Sequence, residues 1–286
     1  SFFNLNFETN LSYAVSLAGF FQLIFLIYYT KRYYKPSIYF KIKINTKVNF
    51  FLKKLLPSIF SSGVTQINIL IGTIIASFES GAISYLYYAD RIYQINLAIA
   101  GVAIGTVMLP ELSKNIKIGN INNVMNIQNK SLELCLLFSL PACFGLIIAS
   151  EEITSALFGY GSFSEENVIL TSKALKYFGY GVPAFALIKV LSNFLFARDN
   201  TKVPFYISAF IVFLNILISL TYFQEIGFVI IPIATSVSTW IGVLIYLILL
   251  IKFKHFRFEA SFFVNLLKVV ISLVIMTLAL YYSINF

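Results

Sequence analysis

The sequence predicts an all-α, polytopic transmembrane bundle of about eight membrane helices, and three observations predict it. Hydrophobic residues make up 59% of the 286 residues and charged residues 12%, with a mean hydropathy of +0.84. A soluble domain carries about 45–50% apolar and about 25% charged residues, so this chain has too little charge to wet a globule of its size. The apolar residues gather in eight long runs, roughly 11–30, 55–78, 83–109, 132–149, 173–197, 204–223, 229–251 and 265–284. Each is near the about 20 residues that cross a hydrocarbon core, and longer than the about 10-residue alternating strands of a membrane barrel. The third observation is that basic residues fill every second gap between the runs.

The first run leads into gap 31–54, which holds eight basic residues: Lys31, Arg32, Lys35, Lys41, Lys43, Lys47, Lys53 and Lys54. Basic loops stay on the cytoplasmic side, which fixes the side of every other loop by alternation. Loop 110–131 then adds Lys114, Lys117 and Lys130, loop 198–203 adds Arg198 and Lys202, and loop 252–268 adds Lys252, Lys254, Arg257 and Lys268. The opposite loops, 79–82, 150–172 and 224–228, hold no Lys or Arg, but they do hold Glu79, Glu151, Glu152, Glu165, Glu166 and Glu225. The alternation puts the C-terminus outside.

The net charge of +9 is therefore topological, and no nucleic-acid partner is expected. Cys135 and Cys143 lie inside one apolar run and read as small packing residues, with no disulfide framework, metal site or cofactor expected. The single His255 sits among Lys252, Lys254 and Arg257 and reads as a solvated loop residue. A membrane glycosyl- or phosphotransferase would call for clustered carboxylates or His near the membrane surface. The chain has one His and no Asp-x-Asp, so no enzyme is expected.

Two cations stand where a charge is costly. Arg91 lies eight residues into the third run, about 12 Å from its outer end. A charge at such depth costs about 2.5–3.5 kcal/mol on insertion scales, so it must face protein or a wet cavity. Asp90 precedes it, about 100° away around the helix. Two readings stay open, a neutralised structural pair or a cavity Arg kept available for an anion. Lys189 is central in the fifth run, with Asn193 one turn on and no carboxylate in that run, which favours an inward cavity position. In the second run Ser58, Ser61, Thr65, Asn68, Gly72 and Ala76 share one face and read as a wet lining or a close-packing surface, the hydroxyls and Asn68 favouring the lining. Gly101 and Gly105 form a GxxxG that reads as packing or bending. Pro57, Pro141, Pro183 and Pro232 permit kinks.

The blocks Ser84-Tyr85-Leu86-Tyr87-Tyr88-Ala89-Asp90-Arg91, Gly101-Val-Ala-Ile-Gly105-Thr106 and Leu109-Pro110-Glu111-Leu112-Ser113 resemble the MurJ (MviN) lipid II flippases of the multidrug/oligosaccharidyl-lipid/polysaccharide exporter superfamily. So do Leu157-Phe158-Gly159-Tyr160-Gly161-Ser162-Phe163 and Phe196-Ala197-Arg198-Asp199-Asn200-Thr201-Lys202-Val203-Pro204, in the same order. The resemblance implies fourteen helices in two six-helix lobes plus two, of which this chain looks like helices six to thirteen. It gives 1–30 as the last N-lobe helix, 31–54 as a basic cytoplasmic loop, 55–251 as one complete C-terminal lobe and 252–286 as an extra C-terminal helix. Since residue 1 is Ser and the first run matches a mid-protein helix, about five further helices, most of the N-lobe, are expected upstream. An initiator codon and signal directly before Ser1 would contradict that.

The implied activity is flipping of lipid II, an undecaprenyl-pyrophosphate-linked muropeptide, from the inner to the outer leaflet of the bacterial cytoplasmic membrane by alternating access. The implied partners are that lipid, the membrane lipids and the N-lobe of the same polypeptide. The implied substrate-binding residues are Arg91, Asp90, Ser84 and Lys189, to which the polar faces add Asn193 and Thr65. Gln94 stands where some members have an acidic residue. The sodium site that some members build from carboxylates has no Asp or Glu in the runs 55–78, 204–223 and 229–251 to build it from, so sodium coupling is not expected. The nearest alternative is another polyprenyl-linked oligosaccharide or drug exporter of the superfamily. A drug exporter would more naturally bury a carboxylate than Arg91 and Lys189.

Overall fold

A computed structural model describes residues 7–34, 48, 49, 52 and 66–285, and among these there is no strand. The chain divides into two compact units, Ser1–Phe50 and Phe51–Phe286. The first holds α1, Phe7–Tyr33, an apolar helix that ends on Lys31 and Arg32, cations that suit the negative end of the helix dipole.

The second unit runs α2 (Gln66–Ala76), α3 (Ala82–Leu97), a π-helical turn (Ala98–Ala103), α4 (Ile104–Ile118) and α5 (Ile121–Ile148). It continues with α6 (Ser150–Phe158), α7 (Glu165–Phe196), α8 (Lys202–Ile226), α9 (Ile230–Lys252) and α10 (Ala260–Asn285). Six stretches of the described residues are long and apolar enough to cross a membrane: Ser12–Tyr33, Ala82–Ile118, Ile121–Ile148, Glu165–Phe196, Lys202–Lys252 and Ala260–Ile284. The fifth contains both α8 and α9, joined by the single 3-10 turn Gly227–Val229, so it takes in two of the expected runs. The run expected at 55–78 lies mostly outside the described residues, and α2 is its described part.

The bundle is built around α7, whose membrane stretch is 72% buried, against 6% for α10. Around α7 pack α3, α4, α5, α6 and α9, while α8 lies on α9 and α10 on α5. Two apolar clusters fill the interior. One, with Leu112, Leu191, Phe194, Tyr246 and Leu250, sits towards the basic turns. The other, with Ile75, Ala89, Ile92, Leu175, Phe178 and Ile230, sits towards the acidic turns. Large apolar side chains such as Phe213 and Leu220 of α8 stay exposed, which costs nothing against lipid tails.

The loop expected at 110–131 is not a loop. Helix α4 continues through Pro110 to Ile118 and α5 starts at Ile121, so only Gly119 and Asn120 connect them. Gly119 takes the left-handed conformation at φ 78°, and the Asn120 side chain caps α5 by accepting from the Asn123 amide. The polar residues that end the apolar run, including Lys114 and Lys117, ride on a helix that continues past that run. Apolar run length marks the hydrocarbon crossing, not the helix end. For the same reason α7 begins at Glu165, eight residues before the apolar run, capped by Ser164.

The basic end carries a clasp that the sequence did not announce. Arg198, just past α7, donates to the Phe194 carbonyl at 2.6 Å and to the His255 carbonyl at 2.9 Å. Asn129 of α5 donates to the Arg257 carbonyl at 3.0 Å and accepts from the Glu259 amide at 3.1 Å. Together they pin the connector between α9 and α10 to the lobe. His255 is thus half-buried rather than solvated. Burial first, and then the Arg198 charge, lower its pKa from the ordinary value of 6.5. A proton therefore binds the released connector more tightly than the docked one, so docking is strongest above pH 6.5 and weakens as the pH falls. Amide-exchange protection across residues 253–259 is expected to drop on acidification through that range, and His255→Gln to remove the dependence.

Candidate functional site

The face of α3 that is not packed against the bundle carries Ser84, Tyr87, Arg91 and Gln94, all exposed, while Ala82, Ala89 and Ile92 turn into the core. Spacings of three and four residues keep these polar side chains on one side of the helix. Asp90 is half-buried at the edge of that face. It does not close on Arg91. Asp90 accepts from the Gln94 amide, and Arg91 donates to the Tyr87 hydroxyl at 3.0 Å with its guanidinium carbon 4.7 Å from the ring centroid.

Past Leu97 the helix widens into the π-turn, which adds a residue to the turn and re-aims the face below it. Here Gly101 and Gly105 let the helix press onto α7. A Cβ on Gly101 would stand 3.1 Å from the Ala186 Cα, and the space beside Gly105 is filled by the Asn193 amide. The GxxxG is therefore a packing surface, and it coincides with the bend.

That close approach frames a cavity of about 670 Å³. Gly105 and Thr106 of α4, Lys189 and Asn193 of α7, Ser208 of α8 and Tyr246 of α9 lie on its wall. Among the described lining residues Lys189 is the one formal charge. The Ser192 hydroxyl, beside it, is tied to the Lys189 carbonyl at 3.0 Å. Apolar side chains such as Leu109, Ile188 and Phe196 complete the wall, and its polar groups, hydroxyls, an amide and one ammonium, suit an anionic or polyhydroxylated group better than a cation.

The structure thus brings Lys189 and Asn193 together. Ser84, Asp90 and Arg91 lie on α3 ahead of the π-turn, outside that cavity wall. Gly101 follows Arg91 by ten residues, about 15 Å along the axis. Thr65, Ser58 and Ser61 lie outside the described residues. The described remainder of their stripe packs rather than lining a wet path. The Asn68 side-chain oxygen accepts from Asn215 of α8 at 2.8 Å, and Asn215 also reaches the Thr235 hydroxyl at 3.3 Å. Gly72 faces Ile231, and Ala76 is fully buried. An amide at membrane depth is satisfied more cheaply by another amide than by admitting water. Asn68 is therefore an interhelical tie, and the expectation of a wet lining on this face does not hold for its described part. Tyr87, Ser208 and Tyr246 were missed. Tyr and Ser on apolar helices carry no signal of which way they face.

A sequence profile of the family described as "Lipid II flippase MurJ" matches residues 1–286. The probable lipid II flippase MurJ of Rhizobium meliloti (strain 1021) is 36% identical over 277 residues, covering 96% of this chain and 52% of that protein. The probable lipid II flippase MurJ of Rickettsia prowazekii (strain Madrid E) is 38% identical over 239 residues, covering 82% of this chain and 46% of that protein. The chain spans about half the length of the curated relatives it matches. Among solved structures, a lipid II flippase MurJ in an inward closed conformation superposes with a TM-score of 0.73 at 30% identity, over 88% of this chain and 52% of that one. An outward-facing multidrug resistance MATE family transporter of the MOP superfamily aligns at 15% identity with a TM-score of 0.61, over 79% of this chain and 51% of that one, a likeness of fold alone.

Proposed function

The chain belongs to the lipid II flippase MurJ family, and from that premise we propose that it forms one lobe of a transporter that flips lipid-linked peptidoglycan precursor across the bacterial cytoplasmic membrane. The family is one of transporters rather than enzymes, and the apolar helices suit a multi-pass membrane protein. In this reading residues 55–251 are the C-terminal lobe, 1–30 ends the N-terminal lobe, 31–54 is a basic cytoplasmic loop and 252–286 adds a further helix.

The observation that carries the reading is the unpacked face of α3 and α4. It presents Arg91 above the π-turn and leads, through Val102 and Thr106, to the cavity whose charge is Lys189. The pyrophosphate of lipid II cannot enter hydrocarbon unaided. Fixed cations offset its desolvation, and a guanidinium can meet two phosphate oxygens at once. Ser84 and Asp90 flank Arg91, Asn193 and Thr65 offer polar contacts, and Lys189 supplies a second charge deeper along the path. Rocking of this lobe against its partner lobe would pass the headgroup from one side to the other while the lipid tail stays in the bilayer.

The test is rescue. The full-length protein is expected to restore growth to bacteria depleted of their own lipid II flippase. Lys189→Ala is expected to cut the translocation rate by about tenfold, the scale of one lost ammonium–phosphate contact. Failure to rescue at normal membrane abundance, with export of a different polyprenyl-linked glycan, would reassign the substrate.

A further inference from the structure

Asp90 and Arg91 are adjacent opposite charges at membrane depth, where mutual neutralisation would be the cheapest arrangement. Their side chains are instead drawn in opposite directions along α3. Arg91 reaches back one turn to Tyr87, hydroxyl and ring both, and Asp90 reaches forward one turn to the Gln94 amide. Tyr87 is 54% exposed, so the core does not hold its ring. It leans edge-on against Tyr88, centroids 6.1 Å apart, and Tyr88 packs on Phe158 at 4.8 Å and Phe163 at 5.3 Å. The Tyr87 ring is thereby braced, through Tyr88, on the end of α6 and the turn that follows it.

We propose that Tyr87 is a positioning residue for Arg91, which with Gln94 keeps the adjacent charges apart so that the guanidinium stays presented to a phosphate-type anion. The Tyr87 hydroxyl takes one of the five guanidinium N–H donors and leaves the others for oxygens of the anion. Gln94, with the Tyr93 hydroxyl that also bonds it, occupies the Asp90 carboxylate, the competitor that would otherwise capture Arg91. The proposal rests on the reading of Arg91 as the anion's partner.

The test uses the full-length protein in membrane vesicles, with an arginine-specific glyoxal reagent and mass spectrometry of the Arg91 peptide. Inorganic pyrophosphate is the probe, and the readout is the concentration that half-protects Arg91. Tyr87→Phe, which keeps the ring and loses the bond, is expected to raise that concentration about threefold, the size of one modest hydrogen bond. Tyr87→Leu is expected to raise it about tenfold, and Gln94→Leu to shift it in the same direction. Adding Asp90→Asn to Tyr87→Leu should bring it back towards the wild-type value, because no carboxylate is left to capture the guanidinium. A purely structural Tyr87 would not be rescued that way. Wild-type half-protection in Tyr87→Leu at equal abundance overturns the proposal even where Arg91→Ala abolishes transport. Absence of pyrophosphate protection in the wild type overturns the reading of Arg91 and the proposal with it. If Tyr87→Leu fails to accumulate, Tyr87→Phe and Gln94→Leu decide on the same readout.

Discussion

Arg91→Ala in the full-length protein is expected to leave flippase-depleted cells unable to grow while the protein inserts at near-normal abundance. Arg91 lies exposed on the unpacked side of α3, and its described contacts are to Tyr87 one turn away, so truncation opens no cavity in the core. Removing it also relieves an insertion cost of about 2.5–3.5 kcal/mol. What disappears, in the proposed reading, is the anion's partner. Arg91→Lys should restore little, since an ammonium is a point charge without the planar fork. The check is growth rescue beside a membrane-abundance blot. Full rescue by Arg91→Ala at equal abundance would make the residue structural.

Gly101→Leu is expected to do the reverse, lowering abundance and thermal stability before any question of transport arises. The obstruction at Gly101 is backbone: a Cβ there meets the Ala186 Cα at 3.1 Å and its carbonyl oxygen at 3.4 Å, and neither can rotate away. Overpacking of this kind costs about 1–3 kcal/mol or more. Gly105→Ala should be milder, because its obstruction is the Asn193 side chain, which can swing aside at the expense of the cavity wall. Thermal unfolding in detergent separates the cases. An unchanged midpoint for Gly101→Leu would contradict the close approach of the π-turn and α7.

Much of this was legible in the sequence because the bilayer simplifies the problem. Apolar run length marks each crossing, and the alternation of basic and acidic gaps assigns its side. Long apolar helices therefore stand where runs 83–109, 173–197 and 229–251 announce them. The helix ends were not legible, because an amphipathic extension such as 110–118 looks like a polar loop until its caps are seen. Lys189 and Asn193 could be placed on one wall from their spacing alone. Asn68 could not, since an amide satisfied by Asn215 and one facing water look the same in a sequence. The π-turn was hidden too. The Gly101–Gly105 pair marks where a helix comes close, and not that its register shifts there.

Fixed cations on this lobe are proposed to carry a pyrophosphate-linked headgroup outward. The most direct measurement is the fraction of lipid II that an externally added pyrophosphate-cleaving enzyme can reach in intact, flippase-depleted cells expressing the full-length protein. Wild-type protein is expected to expose lipid II on the outer leaflet and Arg91→Ala at equal abundance to expose none above the depleted background. Outer-leaflet lipid II at wild-type level in Arg91→Ala cells would contradict it.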